Sequence, residues 1–155
     1  MSRKSFERGL ATRRKVLGDE WVDRAIATAT PFNRDFQEMI TRHAWDDIWN
    51  RKGLTHPVRR MLVLAMTVAQ GRWEEYRLHL RAALESGDLS TNDVKEVLMQ
   101  AAIYVGVPGA NTGFKEAREV IAEVAKRKKA KRAAKKTSKK TARKASRKTA
   151  RKTGQ

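Results

Sequence analysis

Through most of the first 125 positions the apolar residues recur three and four apart, while the two-residue alternation of strands is nearly absent. That period commits the chain to amphipathic helices, and the expected class is all-α. A first helix is expected over Ser5 to Val16, and a second begins near Asp19 with Trp21, Val22, Ala25 and Ile26 on its apolar side. Thr30 before Pro31 reads as a cap with proline at the first helical position, opening a helix through Phe36, Ile40, Ala44 and Ile48 that Gly53 ends. Thr55 and Pro57 open the next, whose run from Met61 to Ala69 is apolar all round and so is expected to be a central helix buried on several sides. Gln70-Gly71 separates it from a helix over Trp73 to Leu84, closed by Gly87. Ser90 to Asp93 is a capping-box pattern for a helix through Val94, Val97, Leu98, Ala101 and Val105, and Gly106 with Pro108 precedes a last helix through Phe114 and Val120. At least six helices are expected.

Charge divides the chain in two. All 17 acidic residues lie at or before Glu123, whereas Lys126 to Gln155 holds sixteen of the 35 Lys and Arg and no acid. Of the net charge of +18, the first 125 residues carry +2 and the rest +16. A folded domain over 1–125 and a tail over 126–155 follow. From Lys135 the tail repeats with a period of four (KKTS, KKTA, RKAS, RKTA, RKTG), which sets like charges at i and i+4 on any helix, and it has no large apolar residue to bury. Disorder is expected there, with a compositional resemblance to the basic tails of linker histones. Such a polycation is expected to bind nucleic acid non-specifically by counterion release, and without apolar anchors it is not expected to insert into a membrane.

The absence of cysteine excludes disulfides, thiolate nucleophiles and thiolate metal sites. His43, His56 and His79 lack the short paired spacing of a helical zinc motif, so no metal is expected. No apolar run is long enough for a membrane span and the N-terminus lacks the apolar stretch of a secretory signal, so the chain is read as cytoplasmic. Glu75 and His79 stand four apart, hence on one helix face. Trp45, Trp49 and Trp73 are read first as core or subunit contacts, and His43 and His56 as structural.

Three segments carry a resemblance: TPFNRDFQEMITRHAW from Thr30, RRMLVLAMTVAQGRWEEYRLHLRAAL from Arg59, and EVLMQAAIYVGVPGAN from Glu96. With EExxxH at Glu74 to His79 followed by YxGxP at Tyr104 to Pro108, the chain resembles the carboxymuconolactone decarboxylase family of the alkylhydroperoxidase D superfamily. In the peroxidase branch of that superfamily a CxxC pair precedes a histidine; here Arg72 and Glu75 hold the cysteine places, His79 matches the histidine, and Arg60 replaces a supporting glutamate. The resemblance therefore implies an acid/base site with nearby cations in place of redox chemistry. Asp46-Asp47 after Trp45 departs from the family pattern.

The implied activity is cofactor-independent decarboxylation of 4-carboxymuconolactone to 3-oxoadipate enol-lactone in protocatechuate breakdown. Within it, protonated His79 is the expected proton donor, with Glu75 holding its tautomer and raising its pKa. Arg59, Arg60 and Arg72 are candidate carboxylate clamps, and Tyr104 a further substrate contact. A homo-oligomer is implied, a hexamer with shared pockets. The reading of another class is a nucleic-acid-binding oligomer in which the helical core is a platform for many tails.

Overall fold

The computed structural model describes the backbone of residues 3–152 and the side chains of residues 3–135. Among them there is no strand. Helices α1 (Arg3–Leu17) and α2 (Asp19–Ala27) are divided at Gly18, whose φ of 88° suits a residue without a side chain. Helix α3 (Arg34–Ile40) runs without a break into a π-helical segment, Thr41–Ile48. Then come α4 (His56–Ala69), α5 (Trp73–Ser86), α6 (Thr91–Tyr104) and α7 (Val107–Lys152).

Local signals placed most boundaries. Thr55 precedes α4 with proline in the first turn, and Gly87 ends α5 in the left-handed conformation, φ 82°. At α6 the Ser90 hydroxyl accepts from the Asp93 N–H at 3.2 Å while the Asp93 carboxylate accepts from the Ser90 N–H at 2.7 Å, a reciprocal cap worth roughly 1 kcal/mol. The start of α3 differs from expectation. The Thr30 carbonyl accepts from the N–H groups of Asn33 and Arg34 and its own N–H donates to Asn33 Oδ1 at 2.8 Å, so Thr30 and Pro31 form a turn and the helix begins at Arg34.

Two apolar clusters result. The larger joins Leu64 and Val68 of α4, Tyr76, Leu80 and Leu84 of α5, Val94 and Leu98 of α6, and Val120 and Val124 of α7. Each fully buried leucine among them contributes roughly 1.5–3 kcal/mol. The smaller joins Val16, Leu17 and Val22 to Trp45 and Trp49 of the π-helical region. Helix α1 crosses that region so closely that a Cβ at Gly9 would stand 2.0 Å from the Thr41 carbonyl oxygen.

One expectation meets a different outcome. Helix α4 buries one face only: Arg60, Leu64 and Val68 point inward, while Leu62 and Met66 are 42% and 55% exposed, because α5, α6 and α7 meet it from one side. The tail, for which disorder is expected from Lys126, follows the core along α7, whose backbone is described to Lys152. From Ala125 to Lys135 every residue is exposed, so that stretch has no buried face to hold it and repels itself at i,i+4; the side chains beyond lie outside the described residues.

Candidate active site

Helix α5 presents His79 to the π-helical region. There the Trp49 N–H donates to the Ala44 carbonyl at 3.0 Å, five residues back, and this wider turn brings residues four apart closer to eclipse. Trp45 and Trp49 consequently stack on each other at 5.4 Å and both lie nearly parallel to the His79 ring, at 6.4 and 6.5 Å. His56, at the start of α4, meets Trp49 edge-on at 5.7 Å and has Nε2 3.2 Å from its carbonyl oxygen. Two tryptophans thus wall the imidazole, a role the sequence reading had ranked below core packing, and His56 braces one of them. The available signal was the i,i+4 spacing of the two tryptophans.

A buried cation acts on the same imidazole. Arg60 is 1% exposed; its Nε donates to Asp88 at 2.8 Å, across to the turn between α5 and α6. Its Nη1 has no hydrogen-bond partner, and neither has Nδ1 of His79, although both atoms are buried. Such atoms cost roughly 1–3 kcal/mol each when left unpaired. Burial, and then the Arg60 charge, lower the His79 pKa to about 4; Glu75 acts in the opposite direction and is outweighed. The expected roles change accordingly. In the free protein His79 is neutral, and Glu75, exposed one turn earlier, does not fix its tautomer through Nδ1.

The remaining candidates disperse. Arg59 is half-buried, donates from Nη2 to the Arg51 carbonyl at 3.1 Å and keeps a buried Nε without a partner. Arg72 is exposed at the N-terminus of α5. Tyr104 is 80% exposed and stands elsewhere, at the lip of a groove of about 620 Å³ between α4 and α6. Val58, Met61, Leu62 and Val97 line that groove, its carboxylates are Asp93 and Glu96, and neither His79 nor any cation borders it. Among the described residues no three His, Asp or Glu side chains converge to hold a metal.

The two acids that departed from the family pattern serve the scaffold. Asp46 accepts from Ser5 at 2.7 Å, from Nε and Nη2 of Arg8 at 3.0 and 2.7 Å, and from Asn50 at 3.1 Å; these partners, Arg8 first, hold its carboxyl down at about 2. Asp47 is exposed and pairs with His43 at 2.9 Å.

Comparison with known proteins bears on the same region. The profile of the carboxymuconolactone decarboxylase family matches residues 34–119, more than half of the chain. The 4-carboxymuconolactone decarboxylase of Acinetobacter baylyi is 35% identical over 119 residues, covering 77% of this chain and 88% of that one. Nitrosuccinic acid decarboxylase of Metarhizium robertsii is 39% identical over 108 residues, 70% of this chain and 75% of that one. A 4-carboxymuconolactone decarboxylase sequence from Pseudomonas putida is 52% identical over 42 residues, 27% of this chain and 88% of that one.

Proposed function

The chain belongs to the carboxymuconolactone decarboxylase family, and from that premise we propose that it is a carboxy-lyase converting 4-carboxymuconolactone to 3-oxoadipate enol-lactone without a cofactor. The observation that carries the reading is the pairing of a walled imidazole with a buried guanidinium, each with an unsatisfied buried nitrogen, inside the span that the family profile matches.

The substrate's own structure accounts for the chemistry. The departing carboxylate sits on the γ-carbon of an unsaturated lactone. When that C–C bond breaks, its electron pair moves through the ring double bond to the lactone carbonyl, CO2 leaves, and the oxyfuran anion takes a proton on the carbon α to the carbonyl. One proton is consumed per turnover. The protein has to hold two carboxylates, stabilise the carbonyl oxygen and deliver that proton. His79 is the donor, and it acquires its proton in the complex: a dianion placed near Arg60 and His79 works against the burial and the neighbouring positive charge that together keep the free imidazole neutral, and favours its protonated form. Glu75 assists in the same direction. Arg59 and Arg72 remain candidates for the carboxylate clamp, while Arg60, paired with Asp88, acts on His79 through its charge. Nitrosuccinic acid, named for the fungal relative, shares the logic of a carboxylate leaving next to an electron acceptor.

A second copy of the chain covers the α4/α6 groove, in a homo-oligomer for which the family resemblance implies six subunits. Exposed Leu62, Met66 and Tyr104 support this, and a groove bordered by Asp93 and Glu96 with no cation is the wrong chemistry for a dicarboxylate. Turnover of 4-carboxymuconolactone, followed as CO2 release by the purified chain, is the deciding assay. Activity on nitrosuccinate with none on the lactone moves the assignment to that substrate, and light scattering that reads a monomer removes the assembly.

A further inference from the structure

Helix α7 begins as part of the core and leaves it as something else. Ala117, Val120 and Val124 are buried, and the acids on the same stretch are answered: Arg77 pairs with Glu116, Glu119 and Glu123 at 2.6, 2.7 and 2.9 Å, and Arg81 pairs with Glu123 at 2.7 Å. After Glu123 no acid follows in the sequence, and seven of the ten residues from Lys126 to Lys135 are cations, all exposed. Of these, Lys128 donates to the Leu84 carbonyl at 2.7 Å and Arg127 reaches Glu85 at 3.4 Å, fastening the root of the segment to the end of α5. Nine further cations follow in the sequence to Lys152. The core beside them is nearly neutral, so apart from Glu85 it offers little net charge to offset this field.

We propose that the segment from Lys126 onward is a docking surface for double-stranded nucleic acid, held through its phosphates without regard to sequence. Composition chooses among the polyanions. The last aromatic residue is Phe114, so the segment has no ring on which an unpaired base could stack, and single strands are bound chiefly by such stacking. Past Val124 the only apolar residue type is alanine, so nothing can anchor in an acyl layer. What remains is charge in adjacent pairs spaced by Thr, Ser and Ala, small enough for close approach to a backbone. A duplex presents a denser line of phosphates than a single strand and releases more counterions per contact. In a homo-oligomer several such segments would act on one duplex, each raising the effective concentration of the next.

The test compares the full chain with a full-length variant in which the nine Lys and Arg from Lys136 to Lys152 are replaced by Gln. Binding is read by fluorescence anisotropy with a duplex of about 30 base pairs, with an unstructured single strand of equal length, and with vesicles containing phosphatidylserine. The parent is expected to bind the duplex and to lose about 10³–10⁵-fold in affinity between about 50 and 200 mM salt. At the lower salt the Gln variant is expected to bind the duplex at least about 100-fold more weakly, consistent with losing most of its phosphate contacts. Its circular dichroism over the core and its decarboxylase turnover are expected to stay unchanged, since no described buried residue is altered. Equal duplex binding by parent and variant overturns the proposal, as does single-strand binding as tight as duplex binding, or capture by vesicles in the absence of duplex binding.

Discussion

Asp46 and His79 are both ionisable groups held largely out of water beside the π-helical region, one facing α1 and the other carried by α5, and the chain treats them differently. Asp46 is surrounded by donors, two from Arg8 and one each from Ser5 and Asn50, so its charged form is favoured and its pKa falls to about 2. The pKa of His79 also falls, to about 4, but because its charged form is disfavoured by burial and by the cation of Arg60. One site is complete and the other keeps two buried nitrogens without a partner. A buried polar group with all its partners is a fastening; a pair with unpaired nitrogens is a place prepared for an anion.

The largest effect expected from breaking this contrast is in turnover. Replacing the proton donor in His79→Gln should lower kcat by about 10²–10⁴-fold while leaving the helical circular dichroism in place, and turnover equal to the parent's would mean that the walled imidazole is only packing. Asp46→Asn should do the reverse. Stability measured by urea unfolding should fall by about 1–3 kcal/mol, toward the lower end because Arg8 is exposed, with kcat per folded molecule unchanged. A loss of kcat without a loss of stability would place Asp46 in the active site and erase the distinction.

The smallest effect, and the one that separates the two groups most cleanly, is in the pH dependence of stability. His79 titrates near 4 in the fold against an ordinary 6.5, so its contribution is whole above about 6.5 and declines as the pH falls toward 4, where the unfolded chain gains a proton that the folded one refuses. Asp46 titrates near 2 against 3.8, so its contribution is whole above about 4 and is lost as the pH falls through 2. Acid should therefore weaken the protein in two steps, followed as Tm against pH. His79→Gln should remove the upper step and Asp46→Asn the lower.

Much of this was legible in the sequence, and the exceptions share a cause. Periodicity and caps placed the helices, since both depend on residues a few positions apart, and the EExxxH and YxGxP motifs located the family. What local pattern could not give was which faces meet. The apolar circumference of α4 implied burial all round, yet among the described residues one side lacks a partner. Arg60 and Asp88 are 28 residues apart, and nothing near either one advertises the pair. Glu75 was expected to raise the His79 pKa because the two are neighbours on one helix, but burial first, and then Arg60 on another helix, outweigh it. The wider π-helical turn escaped as well, because it changes how Trp45 and Trp49 align without altering the apolar count. Asp46 was conspicuous for departing from a pattern, and only its four hydrogen bonds showed that the departure belongs to the scaffold.

The approach of α1 to the Thr41 carbonyl at Gly9 has a consequence for how the chain tolerates change. Every other residue begins with the same Cβ, and at 2.0 Å from a backbone oxygen that one carbon is already too much. In a core site such as Leu64, substitutions form a graded series in which valine is milder than alanine. At position 9 there is no gradation to exploit: alanine meets the obstacle that tryptophan meets, so a saturation library should return an almost flat profile with a single survivor, the signature of a site where selection acts on the presence of a side chain and not on its kind.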